Sequence, residues 1–178
     1  MLFVDSDMIL EKDALSVAMS VVLRKKFDML SLLPRLESHS AWEAMLVPLA
    51  AGAASVMYLV ALTNNNQLPN TAFGNGQFLL ISRSSYNVIG GHETVRDRFC
   101  EDVEIAVQMK KRGLRPRVSW GIEFASVRMY SSLGAIFRGW SRIYYAARVG
   151  SEPRRNSVGA GQHLQPQRGR PERWGRYD

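Results

Sequence analysis

The sequence predicts an α/β fold, and three observations carry that prediction. Short apolar runs, Leu2-Phe3-Val4 and Phe78-Leu79-Leu80-Ile81, are too short for buried helices and read as strands. Alternating with such runs stand helix-length segments with apolar residues at three- and four-residue spacing, such as 101–112. Gly90-Gly91 and Gly113 close such segments, as glycine does just past a helix end.

Leu2-Phe3-Val4 is predicted as a buried strand delivering the acidic turn Asp5-Ser6-Asp7 at its C-terminal end. Asp13 is placed to cap a helix reaching about Lys26, with Leu15, Ala18, Met19, Val22 and Leu23 as its inward face. A strand is expected over 27–33. Residues 44–62 carry no charge over nearly the length a bilayer requires, but Pro48, Gly52, Ser55 and Tyr58 interrupt them. A buried or interfacial helix is therefore favoured over a membrane span.

Residues 63–70 read as a loop, 77–82 as a buried strand and 83–89 as a short helix. Strands are expected over 115–120 and 122–128, and an amphipathic helix over 133–149. From about residue 149 the chain turns to Arg, Gly, Pro, Gln and Ser, the composition of a disordered tail. Residues 1–148 are thus read as one folded unit and 149–178 as its appendage.

With 178 residues, 46% of them apolar, the chain can bury a core. Its net charge of +7 suits a phosphorylated ligand, an anionic membrane surface or a nucleic acid. Much of that charge lies in the tail, which interleaves few aromatics with its arginines, so no specific nucleic acid partner is expected. The single cysteine, Cys100, excludes an intramolecular disulfide framework and is expected to be a small buried apolar group. Met1 runs directly into an apolar strand without a basic leader, which puts the expected location on the cytoplasmic side.

Three groups could carry chemistry. Asp5 and Asp7 can reach a common point at the strand end and suit a hard divalent cation, although taken alone they read more simply as an acidic strand-end loop with capping roles. Glu101 and Asp102 open a helix, where a carboxylate could act as a general base, although capping explains them equally well. Arg138 and Arg142 are one helical turn apart around Trp140, so the cations could grip phosphate oxygens and the indole could stack on a sugar ring. An interfacial helix with snorkelling arginines is the alternative.

The order of these groups, with Gly74-Asn75-Gly76-Gln77 and Gly90-Gly91-His92-Glu93 between them, resembles the second half of a family 2 glycosyltransferase. The branch it is most similar to contains the membrane-associated ceramide glucosyltransferases and hopanoid-associated glycosyltransferases. The likeness spans about residues 1–148. It implies a partial GT-A core, Rossmann-like with a mixed sheet, that lacks the N-terminal nucleotide-binding half.

The resemblance further implies Asp5 and Asp7 as the D-x-D that binds Mn²⁺ or Mg²⁺, with Asp102 as the base that deprotonates the acceptor hydroxyl in an inverting displacement. Gly74, Asn75, Gly76, Gln77 and Glu101 would then line the donor and acceptor site. Gly90-Gly91-His92 would form the loop leading to the base. Arg138, Trp140 and Arg142 follow where the family has Q/R-x-x-R-W, a pattern this chain departs from at Ser141.

The implied partners are a nucleotide-sugar donor, a hydroxyl acceptor carried on a lipid, and a membrane surface. As a fragment, the chain is expected to turn over weakly or not at all. The alternatives are a non-catalytic basic module that binds a polyanion or an anionic membrane, and an inactive remnant.

Overall fold

The computed structural model describes residues 1–68, 71–98, 100–130 and 132–150, with side chains to Tyr145. The tail expected to be disordered lies, apart from the end of the last helix, outside the described residues. The fold is mixed α/β with two mixed sheets.

The main sheet holds β1 (Leu2–Val4), β3 (Met29–Leu33), β5 (Phe78–Ile81) and β6 (Pro116–Trp120), in the order β1-β5-β3-β6. β5 is antiparallel to both its neighbours, and β3 and β6 are parallel with Met29 opposite Pro116. β1 therefore runs parallel to β3, and both deliver their C-terminal ends to the same edge of the molecule.

At that edge the chain twice changes sheet. The turn Asp5–Asp7 leads from β1 into β2 (Met8–Leu10), and Pro34 leads from β3 into β4 (Arg35–Leu36). These short strands flank β7 (Ala125–Val127) in a second sheet, order β2-β7-β4. β2 and β4 were not expected from sequence, because three- and two-residue strands are too short to show a period.

Helices cover the main sheet on both faces. α1 (Ala14–Lys25) packs on one, where Ala18 and Val22 meet Leu30, Leu32, Phe78 and Leu80. α3 (Arg83–Ile89) and α4 (Glu101–Lys111) pack on the other, where Ile89, Ile105 and Met109 meet Met29, Leu79 and Ile81. All four residues of β5 are buried, which is why it reads as an unbroken apolar run.

Three expectations need correction here. β1 is an edge strand with partly exposed side chains, since only β5 pairs with it among the described strands. α1 buries Ala14, Ala18 and Val22, leaving Leu15, Met19 and Leu23 exposed; small side chains let the helix approach the sheet closely. Asp13 precedes α1, but its side chain makes no capping hydrogen bond.

The segment 44–62 is not one helix. α2 spans Ala41–Met57, Leu59 takes a left-handed conformation at φ 51°, and a separate 3-10 turn follows at Val60–Leu62. Ser40 starts α2 by accepting the Glu43 N–H at 3.2 Å, and Glu43 in turn accepts the Ser40 hydroxyl at 3.0 Å. Among the described residues no helix is long and apolar enough to cross a membrane.

α2 packs against the last helix, α5 (Leu133–Gly150), around Val47, Ile136 and Trp140. The Arg128 guanidinium fixes the start of α2 by two hydrogen bonds to Glu43, 3.1 Å from Nε and 2.9 Å from Nη2. With the His39 backbone N–H donating as well, these bonds hold the Glu43 carboxyl at a pKa of about 2, the guanidinium contributing most.

Candidate functional site

Of the residues singled out from sequence, Asp5, Asp7, the loop 74–77 and Asp102 lie at the C-terminal ends of β1 and β3. The loop 74–77 is held there by Ser31, the one polar residue of β3. Its hydroxyl accepts the Asn75 N–H at 2.8 Å and donates to the Asn75 carbonyl at 3.2 Å. The Asn75 side-chain amide donates to Gln77 Oε1 at 2.9 Å, and the Asp5 N–H reaches the Gln77 carbonyl at 3.3 Å. Three segments far apart in sequence are thereby tied together.

Asp102 enters from the first turn of α4, and it does not act as a simple cap. One carboxylate oxygen accepts the Gly76 N–H at 2.6 Å, across 26 residues, and the other accepts the Val103 N–H at 2.8 Å. The glycines make this approach possible. A Cβ on Gly74 would stand 2.7 Å from the Asp102 carbonyl oxygen, and one on Gly76 would stand 3.2 Å from its carboxylate.

Burial raises the Asp102 pKa from 3.8 to about 6, outweighing the backbone hydrogen bonds, those from Val103 and Gly76 foremost, that favour its charged form. Neighbouring Glu101, exposed at the helix start, adds repulsion in the same direction. A carboxylate so poised is basic enough to take a proton near neutral pH and is still ionised there.

Asp5 and Asp7 sit on the exposed turn between the sheets. Partial burial raises the Asp5 pKa, and repulsion from Asp7 and from Glu101 raises it further. The carboxylates of the turn and of α4 thus share one neighbourhood. Among the described residues no three His, Cys, Asp or Glu side chains are gathered closely enough to enclose a metal by themselves. Two repelling carboxylates fit a hard dication whose other ligands are phosphate or water oxygens.

Beside Asp102 opens a half-enclosed cavity of about 380 Å³. Asp102, Asn75 and Gln77 are its polar end, and Leu36, Ala51, Ala54, Met129 and Ile143 are among the apolar side chains of its walls. Cys100 is half-buried in this wall rather than fully buried, its sulfur 3.6 Å from the Tyr58 hydroxyl. Burial pushes both the Cys100 thiol and the Tyr58 phenol toward their neutral forms.

The last helix is placed differently from expectation. Trp140 is only 7% exposed and packs between Tyr130 and Tyr144, so its rings belong to the α2–α5 core and to the cavity wall, not to a free stacking surface. Its indole N–H has no partner among the described residues. Arg138 and Arg142 are exposed on the other side of α5, and Arg142 is close enough to Tyr130 and Cys100 to influence both. His92 is fixed by the Tyr86 hydroxyl, 2.8 Å from its Nδ1, and packs at a tilt against Phe3.

Sequence reasoning missed Ser31, Tyr58 and the Glu43–Arg128 pair. A lone serine inside Met29-Leu30-Ser31-Leu32-Leu33 and the spacing Ser40-x-x-Glu43 were the available signals. Nothing local marked Arg128, 85 residues from its partner. No family model matches the chain, and no curated protein or solved structure shows significant similarity to it.

Proposed function

We propose that this chain is the catalytic half of a GT-A type, metal-assisted glycosyltransferase that moves a sugar from a nucleotide-sugar donor to a hydroxyl acceptor with an apolar body. The observation that carries the reading is Asp102: a partly buried carboxylate of raised pKa, tethered to a glycine loop, at the polar end of an apolar cavity.

In this reading the acceptor lies with its apolar part along the cavity and its hydroxyl against Asp102. The carboxylate takes the hydroxyl proton as the oxygen attacks the anomeric carbon, and the bond from that carbon to the diphosphate breaks with inversion. Asp5 and Asp7 would hold Mn²⁺ or Mg²⁺, which supplies positive charge to the departing diphosphate oxygens. Gly74, Asn75, Gly76 and Gln77 present the floor on which donor sugar and acceptor meet. Arg138 and Arg142 offer exposed cations near that edge for phosphate.

The test is calorimetric titration of nucleoside diphosphates with and without Mn²⁺, followed by a transfer assay. Mn²⁺-dependent binding that disappears in Asp5→Asn and Asp7→Asn is expected, with any transfer abolished by Asp102→Asn. Turnover that survives Asp102→Asn, or binding indifferent to both metal and the two aspartates, overturns the reading.

A basic binding module is favoured by one separate observation. Arg24 and Lys25 end α1 and Lys26 follows it ahead of β3, while Lys111 ends α4 and Arg112 and Arg115 lie between it and β6. Because β3 and β6 run parallel, these six exposed cations gather at the pole opposite Asp102. If this is the working surface, polyanion binding falls steeply with salt and ignores Asp5→Asn.

A further inference from the structure

Two stretches far apart in sequence, 24–28 and 110–117, meet around the starts of β3 and β6, and together they hold eight cationic residues against one acid, Asp28. Both oxygens of that acid are engaged. The Ser85 hydroxyl donates to one at 2.6 Å and the Arg115 backbone N–H to the other at 2.8 Å. None of the eight cations forms a side-chain ion pair among the described residues. Arg83 adds an exposed charge at the same pole, because β5 is antiparallel to β3 and the Ser82 N–H bonds the Asp28 carbonyl at 2.9 Å.

Three of these cations are held in place by the fold. The Arg115 and Arg117 guanidinium groups lie over the Phe27 ring, 5.6 and 5.3 Å from its centre. The Lys110 ammonium is 6% exposed and donates only to neutral oxygens, the Thr63 carbonyl at 2.8 Å and the Thr71 hydroxyl at 3.3 Å. Burial, and then repulsion from Arg117, lowers the Lys110 pKa; burial, and then repulsion from Arg115, lowers that of Arg117. Like charge is thus crowded together with no carboxylate paired to it among the described residues. Helix ends attract cations in any protein, which accounts for Arg24, Lys25 and Lys111. It does not account for Arg115 and Arg117, which lie past Gly113 and outside any helix.

We infer that this pole is a docking surface for a single-stranded nucleic acid, an inference that rests on the basic-module reading above and names its partner. A flexible chain of phosphates supplies the missing negative charge along the rim of Arg24, Lys25, Lys26, Lys111 and Arg112. An unpaired base supplies a flat face for the guanidinium planes and ring of Arg115, Arg117 and Phe27. That platform decides among polyanions. Inorganic polyphosphate or an acidic peptide uses the charges and leaves the platform idle, and a duplex keeps its bases stacked out of reach. No single run of residues announces the surface, because its cations come from the ends of α1 and α4, which meet only when β3 and β6 pair.

The test is fluorescence anisotropy of the full chain with a labelled single-stranded oligouridylate, in EDTA so that metal-dependent nucleotide binding at the acidic end is silent. A duplex of the same length and phosphatidylserine vesicles serve as competitors, and inorganic polyphosphate is titrated separately by calorimetry. Binding that falls steeply with salt and weakens roughly tenfold or more in Lys25→Gln/Lys26→Gln/Arg115→Gln is expected, with circular dichroism confirming the fold. Arg115→Lys, which keeps the charge and loses the plane, and Phe27→Leu should each weaken the oligonucleotide several-fold while polyphosphate binds as to the native chain. Polyphosphate bound as tightly as the oligonucleotide, with neither substitution separating the two, overturns the proposal and leaves the basic-module reading standing. Duplex or vesicles that outcompete the single strand overturn it as well. If neither polyanion binds, or the triple variant binds both as the native chain does, the proposal and the basic-module reading fall together.

Discussion

In the proposed transfer Asp102 is the base, and its environment fixes the sign of the pH dependence. A base must be ionised to accept a proton, so kcat/KM should rise with pH through about 6 and level off above it. Asp102→Asn should lower turnover by roughly 10²- to 10⁴-fold, the usual worth of a positioned base. The same substitution should stabilise the fold at pH 8. A carboxyl raised from 3.8 to about 6 contributes stability fully present below pH 3.8 and lost as pH rises through 6. That loss is on the order of 3 kcal/mol. Thermal melts of both proteins should therefore separate above pH 6 and converge below pH 4.

The glycines beside it make a graded test. Gly74→Ala would press a methyl into the Asp102 backbone at 2.7 Å, whereas Gly76→Ala meets the side-chain carboxylate at 3.2 Å, which can give. The unfolding free energy from denaturant titration should fall more for Gly74→Ala, by about 1–3 kcal/mol as for other overpacking changes, than for Gly76→Ala. Asp102 was legible as an acid at a helix start. Its departure from the cap to Gly76 was not, because that bond joins residues 26 apart.

At the scale of elements, α2 depends on one buried ion pair. Glu43 is 1% exposed and satisfied by Arg128, Ser40 and His39, so removing either partner strands a buried charge or unseats the first turn. Glu43→Ala and Arg128→Ala should each lower the melting temperature and expose residues 37–44 to proteases, and the double variant should be no worse than the worse single one. Helix termini elsewhere were readable: α3 was placed at its observed bounds, and Gly90 and Gly113 take the positive φ of 80° and 74° that glycine tolerates. The inward face of α1 was not readable, because Leu15 and Ala14 compete for it and only the depth of the sheet surface decides.

For the whole molecule, topology decides where function can sit. β1 and β3 run in the same direction, so the acidic turn, the glycine loop and Asp102 meet at one end while six cations collect at the other. Raising the ionic strength should therefore weaken polyanion binding at the basic pole while leaving any Mn²⁺-dependent nucleotide binding at the acidic end less affected, as paired titrations would show.

The sequence by itself determined the class of fold, the order of its longer elements and the residue types available for chemistry, since these rest on local periodicity and on glycine and capping signals within a few residues. Only the tertiary structure decided that Ser31 anchors the glycine loop, that Trp140 is wall and not platform, and that α2 keeps one face bare. Those outcomes depend on contacts between residues tens of positions apart, and burial, which sets the pKa of Asp102, exists only once the chain has closed around it.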